Sequence, residues 1–400
     1  MKAKILLNTN PFFTASASAN RWLTLIEGLN DLKVAVQIVV VGNYQSKAEK
    51  QKNEINSSIN GIEIKYLTSK IVSGLWQRRY YIYIGKHFQA LRIKIRLRKE
   101  IQNFDGILWA ENDLTIWKMI STISNKSFKL ILEMSEFLDI HQYNKGNALQ
   151  KRAADAKKTY FENTFIKKLD GFVLMTKTLM NHFNTFSNHP PLLHLPMTVD
   201  LERFHKQMAP PLEFKKPYIA FVGVMDDDKD GVNILIEAFY KIAKDYPKLK
   251  LYLIGGWNYD TPAHQELIKE LELDDCVYWV GEYPRDTIPS IICNAKLLVL
   301  PRPDSKQAQG GFPTKLGEYL ATGRPVCATT VGEIPEYLED KKSVFFAKPG
   351  SVTSFVNSMS NALKNDEQAN NVGEQGKKAA ELYFNKKTQS KTLYNFLKQL

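Results

Sequence analysis

Short apolar runs alternate with amphipathic stretches along nearly the whole chain, and this order constrains the fold more tightly than any single motif. In the first half the runs fall at residues 4–7, 34–41, 62–67, 105–110, 129–134 and 171–175, with helical stretches such as 20–29 and 151–168 between them. In the second half they fall at 218–224, 249–254, 276–280, 295–300, 325–329 and 344–347. The runs are apolar throughout rather than at every second residue, as in strands buried on both faces. Between two of them, Val232, Leu235, Ile236, Phe239, Ile242 and Ala243 recur at helical spacing and form one apolar stripe. Strand and helix in strict alternation predict parallel sheets covered by helices on both sides, an α/β fold.

A chain of 400 residues with 44% hydrophobic content suffices for two such domains, each with its own core. Residues 196–217, PMTVDLERFHKQMAPPLEFKKP, break the periodicity and contain Pro210 and Pro211, so the boundary is expected there. The first apolar run ends at Asn8, too short for a secretory signal, and no later run reaches the ~18 residues that cross a bilayer. A cytoplasmic protein is the expectation. Cys276, Cys293 and Cys327 lack metal-ligand spacing and read as reduced core residues.

Residues 299–335, VLPRPDSKQAQGGFPTKLGEYLATGRPVCATTVGEIP, carry the densest chemistry. A strand runs to Leu300, a loop follows with Gly310 and Gly311, and Pro313 and Gly323 bracket a short helix over 314–322. The amides of its first turn, at Thr314 and Lys315, have no partner within the helix and attract an anion, phosphate above all. Leu316 and Leu320 turn to the sheet, whereas Thr314 and Glu318 share another face. Glu318 thus stands one turn from the anion site, able to accept hydrogen bonds from sugar hydroxyls. Lys229 follows the strand that ends at Val224; it is either a surface lysine answering Asp226, Asp227 and Asp228 or a compact charge offered to a leaving diphosphate. Asp226 and Asp228 have the spacing of a divalent-cation pair, but their place at the opening of a helix reads as dipole complementation and no metal is expected.

The segments GGFPTKLGEYLATGRPV and ATTVGEIPEYL resemble the donor-binding stretch of retaining GT-B glycosyltransferases of family GT4. In that family two glutamates flank a Gly/Phe/Pro turn; here Glu318 matches the second, which holds the nucleotide ribose, and Gly310 stands at the first. The family's Gly-Arg-Leu, three residues, Lys-Gly pattern matches at Gly223 and Lys229, with Val224 at the arginine. PMTVDLERF is similar to its interdomain connector.

The resemblance implies two Rossmann-like domains with parallel sheets facing across a cleft. Residues 1–196 would bind acceptor, 197–217 would link, 218–375 would bind the nucleotide sugar, and 376–400 would form a helix returning to the first domain. It implies a retaining, metal-independent hexosyltransferase acting in surface polysaccharide synthesis, with a UDP- or GDP-linked sugar as co-substrate, no other cofactor, and a glycan or lipid-linked acceptor. Lys229 and Glu318 would be catalytic, and Gly223, Gly310, Gly311, Phe312, Pro313, Thr314, Lys315 and Leu316 would line the donor. Ser16, Ser18, Glu133, Glu136 and His141 are the acceptor-side candidates. A nucleotide-sugar epimerase of the same fold and a catalytically impaired polyanion-binding protein are the alternatives.

The net charge of +12 is concentrated. Residues 64–99 contain ten basic residues and no acidic one. Within them LRIKIRLRK reads as a helix leading into the strand at 105–110, with Phe88, Leu91 and Ile95 as its packed stripe and Ile93 and Leu97 on a second, basic-rimmed face. This segment is either a solvated helix packed on the sheet or, with Trp76, Tyr80 and Tyr81 nearby, a contact for an anionic membrane surface or an anionic acceptor. No nucleic-acid-reading motif is present, and no nucleic-acid partner is expected.

Overall fold

The computed structural model describes residues 1–14, 16–71, 86–123, 126–138, 146–204 and 209–400. These residues divide into two compact units, Met1–Leu195 with Ser390–Leu400, and Pro196–Gln389. His141, Trp76, Tyr80 and Tyr81 lie outside the described residues.

In the first unit the strands are β1 (Lys2–Leu7), β2 (Ala35–Val40), β3 (Ser58–Ile59), β4 (Ile62–Tyr66), β5 (Ile107–Ala110), β6 (Lys129–Met134), β7 (Gly171–Leu174) and β8 (Leu192–His194). Among the described residues they form one sheet in the order β3-β4-β2-β1-β5-β6-β7-β8, parallel except for the β3–β4 pair. The pleat sends successive residues to opposite faces. Ala3, Ile5 and Leu7 of β1 therefore enter one core with Trp22, Ile26 and Leu393, whereas Leu6 enters the other with Trp117 and Phe161. This is why the strands read as continuous apolar runs.

Two segments depart from the sequence expectation. The helical stretch expected at 151–168 is a helix Ala148–Tyr160, a π turn Phe161–Phe165 and a 3-10 turn Ile166–Lys168. The π turn brings Phe161 and Phe165 both against Trp117, with ring centroids 4.9 and 5.2 Å away. The helix Lys86–Ile101 forms as expected, but on the opposite face. Ile93, Leu97 and Ile101 are buried, whereas Leu91 and Ile95 are 62% and 51% exposed.

The second unit has β9 (Tyr218–Val222), β10 (Lys250–Ile254), β11 (Val277–Gly281), β12 (Leu297–Leu300), β13 (Val326–Thr329) and β14 (Phe345–Ala347). Its sheet is parallel throughout, in the order β11-β10-β9-β12-β13-β14. Chain order therefore reverses between β9 and β12, and in open parallel sheets ligands bind beyond the carboxyl ends of the strands at such a switch point. Residues 197–217, read as a linker, are part of this unit. Val199 donates its amide to Phe384 O at 2.8 Å, and the absence of a Cβ on Gly317 makes room for Met197.

Candidate donor site in the second unit

The loops after β9 and β12 meet at the switch point. Gly231 has φ of 67°, the left-handed region that glycine tolerates, and a Cβ there would overlap the carbonyl oxygen of Pro301. Ser305 Oγ donates to Asp228 O at 3.0 Å and ties the same two loops together. The aspartates at 226–228 build the β9 loop: Asp226 Oδ1 accepts from Lys229 N at 3.1 Å, and Asp227 Oδ1 from Asn233 N at 3.0 Å.

Beyond β12 the chain forms a short helix Lys306–Gly310 where sequence reading expects a loop. Ser305 caps it, accepting from Ala308 N at 3.1 Å. Gly310 is its buried last residue, and Gly311 donates its amide to Gln307 O at 3.1 Å. Phe312 is a core anchor, with its ring 5.4 Å from Phe384 and 5.6 Å from Tyr337. Pro313 is the extended N-cap of the helix Thr314–Ala321, one place earlier than its expected position in the first turn, and no side chain caps that turn. The turn's amides therefore keep their attraction for an anion. Leu316 and Leu320 are fully buried, and Tyr319 Oη accepts from Val222 N at 2.7 Å, which fixes the helix to the end of β9.

Gly223, the first residue past β9, borders Lys315: a Cβ on Gly223 would overlap the lysine ammonium, Phe221 and Asp230. Lys315 Nζ donates to Asp230 Oδ1 at 2.9 Å and lies 4.7 Å from the centre of the Phe221 ring. Burial pushes the Lys315 ammonium below the usual lysine range; Asp230 opposes the shift, and the charges of Arg302 and Lys229 add to it. The cations of the β9 loop, the β12 loop and the helix Thr314–Ala321 thus act on one another. Arg302, 3% exposed, and Asp230 were not singled out in the sequence, although Arg302 follows β12 by two residues.

Glu318 Oε1 accepts from Arg203 Nη1 at 3.1 Å, and Arg203 Nη2 donates to Arg285 O at 2.7 Å. Both side chains of this ion pair are about 15% exposed, at 14% and 15%. Arg203 was missed although PMTVDLERF contains it, because its partner lies 115 residues on.

Two of the first-unit candidates, Ser16 and Glu133, have structural partners. Ser16 caps the helix Ala17–Asp31, its hydroxyl accepting from Ala19 N at 3.0 Å, and Ser18 is an exposed residue of that helix. Glu133, expected to face a ligand, is 5% exposed and accepts from Arg21 Nε at 2.9 Å. Glu136 is half-buried just past β6. Where β1 and β5 end side by side, Glu111 Oε2 accepts from Asn8 N at 2.6 Å, and burial pushes the Glu111 carboxyl above the ordinary range.

Comparison with known proteins places this geometry in a class. Over 100% of the chain and 99% of the other, the structure is similar to sucrose-phosphate synthase of Thermosynechococcus elongatus, with a TM-score of 0.76 at 14% identity. It is similar over the whole of both chains to HepE of Anabaena, solved in complex with UDP-glucose, with a TM-score of 0.72 at 14% identity. The fold is GT-B, that of two parallel-sheet α/β domains. Residues 204–379 match the model of the family described as glycosyl transferases group 1. Among curated relatives, N-acetyl-alpha-D-glucosaminyl L-malate synthase of Bacillus anthracis is 27% identical over 149 residues, 37% of this chain and 36% of that protein. The amylovoran biosynthesis glycosyltransferase AmsK of Erwinia amylovora is 28% identical over 130 residues, 32% of each. The matched stretch thus spans about a third of the length of these relatives.

Proposed function

We propose that the chain is a retaining, metal-independent glycosyltransferase of the GT4 type that moves a hexosyl group from a nucleotide diphosphate sugar to a glycan or lipid-linked acceptor in surface polysaccharide synthesis. The observation that carries this reading is the uncapped first turn at Thr314 and Lys315, with Lys229 on the neighbouring β9 loop, at the switch point of a segment that matches the group 1 model. As the bond from the anomeric carbon to the phosphate oxygen breaks, negative charge grows on the diphosphate. Fixed amides and an ammonium stabilise that charge more in the transition state than in the ground state, which is the condition for catalysis. Glu318, held by Arg203, accepts from the ribose hydroxyls. That relatives of this segment act in amylovoran and colanic acid biosynthesis supports a polysaccharide acceptor.

The same reading has the enzyme working in the cytoplasm at the inner face of a membrane. Among the described residues no helix is long and apolar enough to cross a bilayer. The helix Lys86–Ile101 instead exposes Leu91 and Ile95 beside the exposed Arg92, Arg96, Arg98 and Lys99, a composition suited to anionic headgroups.

Calorimetric titration with UDP and GDP tests the donor site. The unmodified chain is expected to bind one of them, and Glu318→Ala and Lys229→Ala to weaken that binding roughly 10- to 100-fold, the loss of a hydrogen bond to a charged group. Lys229→Ala is further expected to lower kcat by about 10²–10³. Full retention of affinity in both variants would reject the site. A reaction run without acceptor that yields a new sugar nucleotide would make the chain an epimerase instead.

A further inference from the structure

The side chain of Lys315 has no part in the donor site as built so far, which uses only its backbone amide. Yet its ammonium is held in place at the switch point. The four-carbon stem of a lysine ordinarily samples many rotamers, and ordering it costs conformational entropy. Here that cost is met in folding: Nζ is held by Asp230 at 2.9 Å, lies over the face of Phe221 at 4.7 Å, and fills space that only a glycine at 223 leaves open. Asp230 in turn is fixed by its own amide, which donates to Asp226 O at 2.7 Å. Val224, the residue after Gly223 on the β9 loop, is apolar and 57% exposed, and contributes no charge.

Resting on the diphosphate reading above, we propose that Lys315 supplies through its side chain the second cation that grips the donor diphosphate, and that Asp230 is a positioning residue that aims it. An ammonium has three N–H donors, and the bond to Asp230 uses one. An anion brought between Lys315 and Lys229 lowers the mutual repulsion of the two ammoniums and returns part of the hydration that burial removes from Lys315. No bond is made or broken by Lys315; its contribution is to ground-state and transition-state binding of the phosphates.

The test compares three probes by calorimetry: UDP, uridine, which keeps base and ribose without phosphate, and inorganic pyrophosphate. Lys315→Met is expected to weaken UDP and pyrophosphate roughly 10- to 100-fold and to leave uridine unchanged. Because the single variant strands the buried Asp230 carboxylate, the double variant Asp230→Asn, Lys315→Met provides the same readout in a neutral, isosteric site, with circular dichroism to confirm folding. Retention of UDP affinity in the folded double variant overturns the proposal. The cation is the binding form, and burial lowers its titration below the usual lysine range, so the advantage of the unmodified chain over Lys315→Met should shrink as pH rises toward that range. A gap that persists unchanged across that range also overturns it. The two readings fail separately. Pyrophosphate binding that depends on Lys315 without any nucleotide binding rejects the transferase site but upholds the cation, whereas nucleotide binding that is indifferent to Lys315 does the reverse.

Discussion

The carboxylate of Glu133 sits in a place from which water is excluded. Its partner Arg21 is 2% exposed and donates Nε to Glu133 at 2.9 Å and Nη2 to Leu195 O at 2.8 Å. Removing one member of such a pair leaves the other charged and unsolvated, which typically costs 3–5 kcal/mol, more than the intact pair contributes. Glu133→Ala is therefore expected to lower stability by about that much in urea denaturation, while UDP affinity in the second unit stays as it was. A stable variant with altered acceptor kinetics would return Glu133 to the role its place at the end of β6 suggests. The sequence shows a carboxylate after a strand, but nothing local reveals that Arg21, 112 residues earlier, reaches it. Lys315 with Asp230, 85 residues apart, and Glu318 with Arg203, 115 apart, were hidden for the same reason. What was legible was the backbone chemistry of 310–318, because a glycine pair, a proline and a short apolar stripe express their constraints within a few residues.

Helix Lys86–Ile101 shows where periodicity stops informing. Ile93, Leu97 and Ile101 recur every four residues, and so do Leu91 and Ile95, so spacing supplies two stripes and no means of choosing between them. Tertiary anchors decide: Arg96 Nη1 donates to Leu67 O at 2.6 Å, and Glu100 takes Lys4 and Lys65, each at 2.5 Å. These rotate the helix so that Leu91 and Ile95 face water. Strands were easier to place than this face, because a strand buried on both sides needs no choice of face. An exposed leucine and isoleucine among arginines make a measurable expectation. The unmodified chain should sediment with vesicles that contain anionic lipid and less so as salt rises, each basic residue near the surface contributing about 1 kcal/mol. Leu91→Asn with Ile95→Asn should release it without changing the melting temperature, since neither side chain is in the core. Equal failure to bind neutral and anionic vesicles would remove the membrane from the proposal.

At the scale of the whole chain, the C-terminal segment belongs to the unit from which it is farthest in sequence. The helix Lys386–Gln399 starts within the second unit, and from Ser390 onward the chain is part of the first. Within the second unit, Lys386 N donates to Val199 O at 3.0 Å and Lys386 Nζ meets Asp200 at 3.1 Å. Beyond that point Leu393 and Leu397, 0% and 3% exposed, enter the core formed by Trp22, Ile26 and the strands β1 and β2. Gly171, at the start of β7, has no Cβ to obstruct Phe396 and Leu400. Truncating a buried leucine costs about 2–5 kcal/mol, and one kcal/mol shifts the midpoint of a unit this size by roughly 2–4 °C. Leu393→Ala should therefore lower one calorimetric transition by roughly 4–20 °C. UDP, which binds the folded second unit, should raise the other transition in both proteins alike. If Leu393→Ala instead lowered the transition that UDP raises, the helix would be stabilising the donor-binding unit, and the assignment of residues 390–400 to the first core would be wrong.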